Sequence, residues 1–212
     1  MKEKLAHIKA VFFDWDGVFH AGHKNENKSS TFSEADSMGV NMLRFGLWLQ
    51  NKEMPIVGII SGENNVTARY WAEREHLDAT FSSAKNKVEI LAFLKEKHNL
   101  NPHEVMFVYD DILDLSLAKE VGFRVLINRR ANPLFVEYCR DKEYYEFVTH
   151  SDGGNHGVRE ACELTLDAMG KFVETIEKRI EFTGDYSKYN SERLAIEVKH
   201  FLASEGSFVL LK

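Results

Sequence analysis

Two apolar runs that end in carboxylates constrain this chain more than any other feature. The first is Val11-Phe12-Phe13, which runs into Asp14-Trp15-Asp16-Gly17-Val18. The second is Val105-Met106-Phe107-Val108-Tyr109, which runs into Asp110, Asp111 and Asp114. Short, continuous runs rich in β-branched and aromatic residues are expected as strands buried on both faces. A third, Ile56-Val57-Gly58-Ile59-Ile60, closes in Ser61-Gly62. Further short strands are predicted over 79–81, 123–127 and 146–149. Helices are predicted over 37–53, 63–75, 87–98, 113–121 and 133–141. Strands and helices alternating at these lengths predict an α/β fold of the Rossmann-like, doubly wound type, a parallel sheet with helices on both faces. Ligands then bind beyond the carboxyl ends of the strands, where Asp14, Ser61 and Asp110 all fall.

Around this core the pattern predicts an excursion and a tail. Residues 18–33 carry Val18-Phe19-His20 and Thr31-Phe32 on either side of a polar, turn-rich centre, which suits a short β-hairpin inserted after the first strand. Helical spacing resumes over 158–182, breaks at Thr183-Gly184-Asp185, and another helix is expected over 191–202. The reading is therefore a main domain, 1–182, with a C-terminal helical tail, 183–212. A formal charge of −6 from 27 basic and 33 acidic residues argues against nucleic acid or an anionic membrane as the main partner. No signal peptide or membrane span is read from the N-terminus, so a cytoplasmic protein is expected. Cys139 and Cys162 have no metal-ligand spacing and are expected as reduced structural thiols.

The candidate chemistry follows from charge. Asp14, Asp16, Ser61, Lys87, Asp110, Asp111 and Asp114 would meet in one crevice, and that many carboxylates need a cation at neutral pH. Magnesium fits an all-oxygen donor set that keeps water and binds phosphate, and no clustered His/Cys set favours zinc. A phosphate dianion could then approach Asp14, with the hydroxyl and amides at Ser61-Gly62 and the Lys87 ammonium holding its oxygens. Each element has an ordinary explanation alone: Asp-x-Asp-Gly is common at turns, Ser-Gly often ends a strand, and Lys85 could stand in for Lys87. The set in this order after strands is what points to phosphoryl transfer.

Asp14-Trp15-Asp16-Gly17-Val18, Ser61-Gly62, Lys87 and Asp110-Asp111-Ile112-Leu113-Asp114 together resemble the four motifs of the haloacid dehalogenase (HAD) superfamily. Phe32, Asp36, Gly39 and Gly153-Gly154 with Val158-Arg159-Glu160 resemble its capless branch, the 3-deoxy-octulosonate 8-phosphate phosphatases and their acylneuraminate-type relatives. The similarity spans about residues 9–170. It implies a Mg²⁺-dependent two-step hydrolysis of a small phosphorylated sugar acid, of the ulosonate 8- or 9-phosphate type. Asp14 would take the phosphoryl group while Asp16 serves as acid and then base. It further implies a metal held by the Asp14 carboxylate, the Asp16 backbone carbonyl and Asp110, with Asp111 and Asp114 fixing metal waters or Lys87. It also implies a homo-oligomer, a tetramer in this branch, in which the hairpin of one subunit closes a neighbour's site.

The chain departs from that pattern at His20-Ala21-Gly22, where relatives carry Thr-Asp-Gly, at Glu63 in place of an arginine, and at Asn155-His156 in the glycine-rich motif. Groups that would read a sugar-acid carboxylate are thus missing or moved. Arg129 and Arg130, after the strand ending at Ile127, are the candidates to replace them. Two other readings stay open: a phosphatase for another small phosphate monoester, and a catalytically weak oligomerisation module like those attached to acylneuraminate cytidylyltransferases.

Overall fold

The first five strands form where the apolar runs predicted them, because residues on both sides of each find a core. The computed structural model describes residues 1–24 and 30–211. In chain order the elements are α1 (Lys2–Leu5), β1 (Ala10–Phe13), α2 (Glu34–Asn51), β2 (Ile56–Ile60), α3 (Val66–Arg74), β3 (Ala79–Ser82), α4 (Ile90–His98) and β4 (Val105–Tyr109). They continue as α5 (Leu115–Ala118), β5 (Phe123–Asn128), α6 (Pro133–Asp141), β6 (Phe147–Asp152), α7 (Gly157–Met169), α8 (Phe172–Glu181), α9 (Gly184–Leu194), β7 (Lys199–Ser204) and β8 (Ser207–Leu210). Among the described residues the strands make one sheet in the order β6-β5-β4-β1-β2-β3-β7-β8, parallel except for β8.

Alternation along the strands divides the interior into two cores. Val11, Phe13, Val57, Ile59, Met106 and Val108 face α2, α3 and α7; Phe12, Ile60, Phe107 and Tyr109 face α4, α5 and α6. Helix α2 starts where the Ser33 side chain accepts hydrogen bonds from the amides of Ala35 and Asp36, at 3.1 and 3.2 Å. It ends at Lys52, whose backbone is left-handed, before Pro55. Gly46 lies so close to Leu166 of α7 that a Cβ there would overlap it, which is why a glycine is tolerated inside this buried helix.

The chain departs from the sequence expectations in three places, each for a local reason. The helical stretch over 158–182 is two helices, because Gly170 takes a left-handed conformation (φ 70°) and Lys171 donates back to Leu166 at 2.9 Å. The tail is not helical throughout. Of the residues expected as a helix over 191–202, those at 191–194 close α9 and those at 199–202 enter β7, since Phe201 stacks on Phe81 at 5.1 Å and pairing with β3 outweighs local propensity. Glu205 and Gly206, both with positive φ, then turn the chain into β8. Thirdly, the flanks of the expected insertion hairpin, Val18-Phe19-His20 and Thr31-Phe32, form no strand. Trp15, Val18 and Phe19 are drawn into the core instead, leaving an isolated bridge between Asp16 and His20. The centre of that segment, 25–29, lies outside the described residues. Cys139 and Cys162 are both buried and free. Among the described residues no helix is long and apolar enough to cross a membrane.

Candidate active site

From β1 the chain steps to β2 and β3 on one side and then returns to β4 on the other, so the order reverses between β1 and β4. A crevice opens at such a point, and it is here that β1 and β4 deliver Asp14 and Asp110. Asp14 continues the ladder, its amide donating to the Val108 carbonyl at 2.9 Å. Beyond it, Trp15 stacks on Phe19 with ring centres 4.8 Å apart, and its indole N–H donates to Ser30 at 2.8 Å. Those contacts pin the loop that carries Asp16. The loop is backed by Gly153, where a Cβ would overlap the Gly17 carbonyl, and by Gly154 (φ 78°) against Ala21 and His20. Any side chain at 153 would push the loop of acids out of place.

Lys87, at the 3-10 turn leading into α4, lies between Asp14 and Asp114, its ammonium hydrogen-bonded to an Oδ1 of each. All three side chains are buried. The other oxygen of Asp114 faces the amides of Asp110 and Asp111, at 3.4 and 3.1 Å. Asp114 is therefore committed to holding Lys87 and the acidic turn in place. Asp111 accepts from the Ile112 amide at 2.7 Å and lines the cavity. Lys85, the alternative to Lys87, sits at the rim and pairs with Glu63 at 2.7 Å.

Asp16 faces the opposite side of the cavity. Its Oδ2 accepts from Asn65 at 2.8 Å and from Ser61 Oγ at 3.3 Å, while His20 Nε2 and Lys24 Nζ lie 3.2 and 3.5 Å from Oδ1. Burial raises the Asp16 carboxyl, but the bond from His20, the Lys24 charge and the bond from Asn65 overcome it and hold the group below its usual range. Asp14 behaves in the opposite way. Burial, reinforced by Asp114 and opposed by Lys87, pushes it up to about 7. Asp110 is pushed up to about 9 by burial and by the charges of Asp14 and Asp114, against Arg129. Lys87 is raised: burial lowers it, and Asp14 and Asp114 more than compensate.

The cavity, about 220 Å³, is lined by Asp14, Asp16, Lys87, Asp110, Asp111 and Asp114, with Gly62 at its edge. Oxygens of Asp14, Asp110 and Asp114 lie within 4.8 Å of one another. Asp110 Oδ1 is buried without a hydrogen-bond partner. An all-oxygen cluster with one orphaned carboxylate oxygen and two carboxyls held well above their ordinary range is what a hard divalent cation would relieve.

Of the residues proposed from sequence, the fold brings Asp14, Asp16, Ser61, Gly62, Lys87, Asp110, Asp111, Asp114 and Arg129 together. Arg130 does not join them; it points to solvent, with Asp152 at 3.7 Å. Asn65 is a site residue that sequence reasoning missed. It belongs to the stretch predicted as the start of a helix, but α3 begins only at Val66, leaving Asn65 buried and turned toward Asp16. His20, read from sequence only as a flank of the insertion and a departure from the family pattern, is buried beside Asp16. His156 lies 3.0 Å from Ser33, outside the cavity.

No protein-family model matches the chain. It is 29% identical over 175 residues to the 3-deoxy-D-manno-octulosonate 8-phosphate phosphatase of Salmonella typhi, covering 81% of this chain and 86% of that protein. Among solved structures it superposes on the phosphatase of that name from Moraxella catarrhalis, a complex with magnesium, phosphate and the KDO molecule. The TM-score is 0.67 at 24% identity, covering 84% of this chain and 97% of the other. The cobalt-bound phosphatase of Haemophilus influenzae gives a TM-score of 0.66 at 23% identity, covering 82% and 99%. A HAD-superfamily hydrolase from Legionella pneumophila gives a TM-score of 0.68 at 27% identity, covering 84% of this chain and 93% of the other, so the chain has a HAD-like α/β fold, and over four fifths of its length its sequence resembles the 3-deoxy-D-manno-octulosonate 8-phosphate phosphatases.

Proposed function

We propose that this chain is a magnesium-dependent phosphatase that hydrolyses a small phosphorylated sugar acid, of the ulosonate 8- or 9-phosphate type, through a phosphoryl group carried on Asp14. The observation that carries the reading is the buried Asp14–Lys87–Asp114 chain at the strand-order reversal, with Asp110 beside it. A magnesium ion held by the carboxylates of Asp14 and Asp110 and the backbone carbonyl of Asp16 would supply the charge that keeps Asp14 ionised and offsets the incoming dianion. Lys87 neutralises a phosphoryl oxygen, and Ser61 with the Gly62 amide holds another. Asp14 attacks phosphorus as Asp16 gives its proton to the leaving alkoxide; Asp16 then draws a proton from the water that releases phosphate. Its low affinity for a proton suits the second step, and the phosphate dianion arriving beside it raises that affinity for the first.

Asp111 and Asp114 fix the acidic turn and Lys87, and Arg129 is the group best placed to meet the substrate's carboxylate. A second reading keeps the mechanism with a different phosphate monoester, and it is favoured by Glu63, an acid at the rim that disfavours an anionic leaving group nearby. The test is phosphate release from a panel of sugar phosphates with Mg²⁺ or EDTA. The proposal expects turnover of carboxylated sugars that needs Mg²⁺ and is lost in Asp14→Asn. Release that persists in Asp14→Asn or in EDTA would remove the mechanism. We also propose a cytoplasmic homo-oligomer, probed as a tetramer by light scattering; exposed Val173, Ile180 and Phe182 on and after α8 offer apolar surface for assembly. A monomeric mass at micromolar concentration would oppose it.

A further inference from the structure

Among the described residues, the cations that line the cavity differ in the acid each one meets and in how far each is buried. Lys87 serves Asp14 and Asp114, Lys85 serves Glu63, and Lys24 leans on Asp16. Arg129 is different. It leaves the carboxyl end of β5, passes over Gly17 and places Nη2 2.5 Å from Asp110 Oδ2. That is the carboxylate a divalent cation would take.

The path of this arm depends on glycine. A Cβ on Gly17 would overlap both the guanidinium and the Asp110 carboxyl, and one on Gly22 would stand 3.5 Å from Nη2. The loop carrying both glycines thus forms an open floor under the guanidinium. The Arg129 side chain is 32% exposed, and Asp110 is its partner among the described residues. Its planar fork matches a carboxylate bidentately, which an ammonium does not.

We infer that Arg129 is a displaceable counter-ion: cation binding at Asp110 releases its guanidinium toward the Gly22 side of the cavity, where it holds the carboxylate of a sugar-acid ligand. Cation and carboxylate therefore bind cooperatively. The inference rests on the phosphatase reading for the cation site and adds to it a coupling between two ligands. Because linkage is reciprocal, a carboxylate that keeps Arg129 away from Asp110 must tighten the cation by the factor with which the cation tightens the carboxylate. A ligand without a carboxylate gains nothing from it.

Titration calorimetry with MgCl₂ on the full chain tests this, using Arg129→Gln and wild type, each with and without 3-deoxy-D-manno-octulosonate. Removing the competing guanidinium should lower the Kd for Mg²⁺ by about ten-fold. The sugar acid should tighten Mg²⁺ several-fold in wild type and leave Arg129→Gln unmoved. An unchanged or weaker Mg²⁺ affinity in Arg129→Gln overturns the inference, as does a sugar-acid effect that survives the substitution. Arg129→Lys carries the same test if the glutamine variant fails to fold, because a lysine cannot reproduce the fork; it should fall between the two. Magnesium-dependent, Asp14-dependent release of phosphate from p-nitrophenyl phosphate in wild type separates the two failures. If that activity is present and the affinities do not move, only the role of Arg129 falls; if wild type neither binds Mg²⁺ nor releases phosphate, the phosphatase reading falls with it.

Discussion

Replacing Lys87 by methionine asks how much of the fold depends on the charge at its centre. The methionine fills a similar volume and can still lie against Phe107, whose ring centre is 5.9 Å from the Lys87 ammonium. What it removes is the cation that Asp14 and Asp114 share among the described residues, both acids being buried, with the equally buried Asp110 close by. Breaking a buried pair on one side costs about 3–5 kcal/mol, because a charge is left without a partner. At about 2 °C per kcal/mol for a chain of this size, Tm should fall by roughly 6–10 °C. Lys87 is raised in the fold above its ordinary value of 10.5, so its contribution is fully present below that pH and is lost only as pH rises through the higher folded value. Urea unfolding at pH 7.5 in EDTA therefore measures it with Lys87 fully charged. Combining Lys87→Met with Asp14→Asn should restore roughly 1–3 kcal/mol, since the substitution removes the orphaned charge. A loss below about 1 kcal/mol for Lys87→Met, the range of exposed pairs, would refute the claim that this lysine is the electrostatic centre of the site.

The raised carboxyls of Asp14, about 7, and Asp110, about 9, mean that the folded chain keeps protons which the unfolded chain gives up. In the metal-free protein stability should therefore fall as pH rises from about 4 to about 9, and Mg²⁺ should raise Tm more at pH 8 than at pH 5. Equal increments by scanning fluorimetry would contradict this. Gly153→Ala places a methyl on the Gly17 carbonyl, and a shift of about 1 Å in the loop of acids should lower kcat on the order of a hundred-fold, at a cost of about 1–3 kcal/mol in urea unfolding. Phe201→Ala removes the ring stacked on Phe81 and packed 4.9 Å from Phe93, and should cost roughly 3 kcal/mol by calorimetry if β7 is part of the cooperative unit.

Strands β1 to β5 were legible because both faces of each are buried, or nearly so, and an apolar run needs no partner to be recognised. Helix α6 begins and ends at the predicted residues; Pro133 at its first position fixes the start. The acids and Lys87 were legible for another reason: each follows a strand, and the parallel sheet sends all those ends to one side. Asn65 was not, because a helix that begins at Val66 rather than at 63 is set by a bond to Asp16, forty-nine residues away in the chain. His20 was hidden similarly, its burial depending on Trp15 and Phe19 folding inward. Strand β7 lay beyond local reading, since Val198, Phe201 and Leu202 fit a helix as well as a strand until Phe81 and Phe93 offer them a surface.

The path of the last third of the chain has a consequence for how the molecule assembles. From β6 at one margin of the sheet, α7, α8 and α9 pass behind α2, and β7 docks on β3 near the opposite margin. Tyr189 anchors this passage, donating to Asn41 at 2.8 Å from a fully enclosed position. A nascent chain emerging from a ribosome would therefore carry Phe81 and Phe93 uncovered until residues 199–210 had been made. Closure of contacts so distant along the chain is slow, and a chaperone that binds aromatic surface has its natural window in that interval.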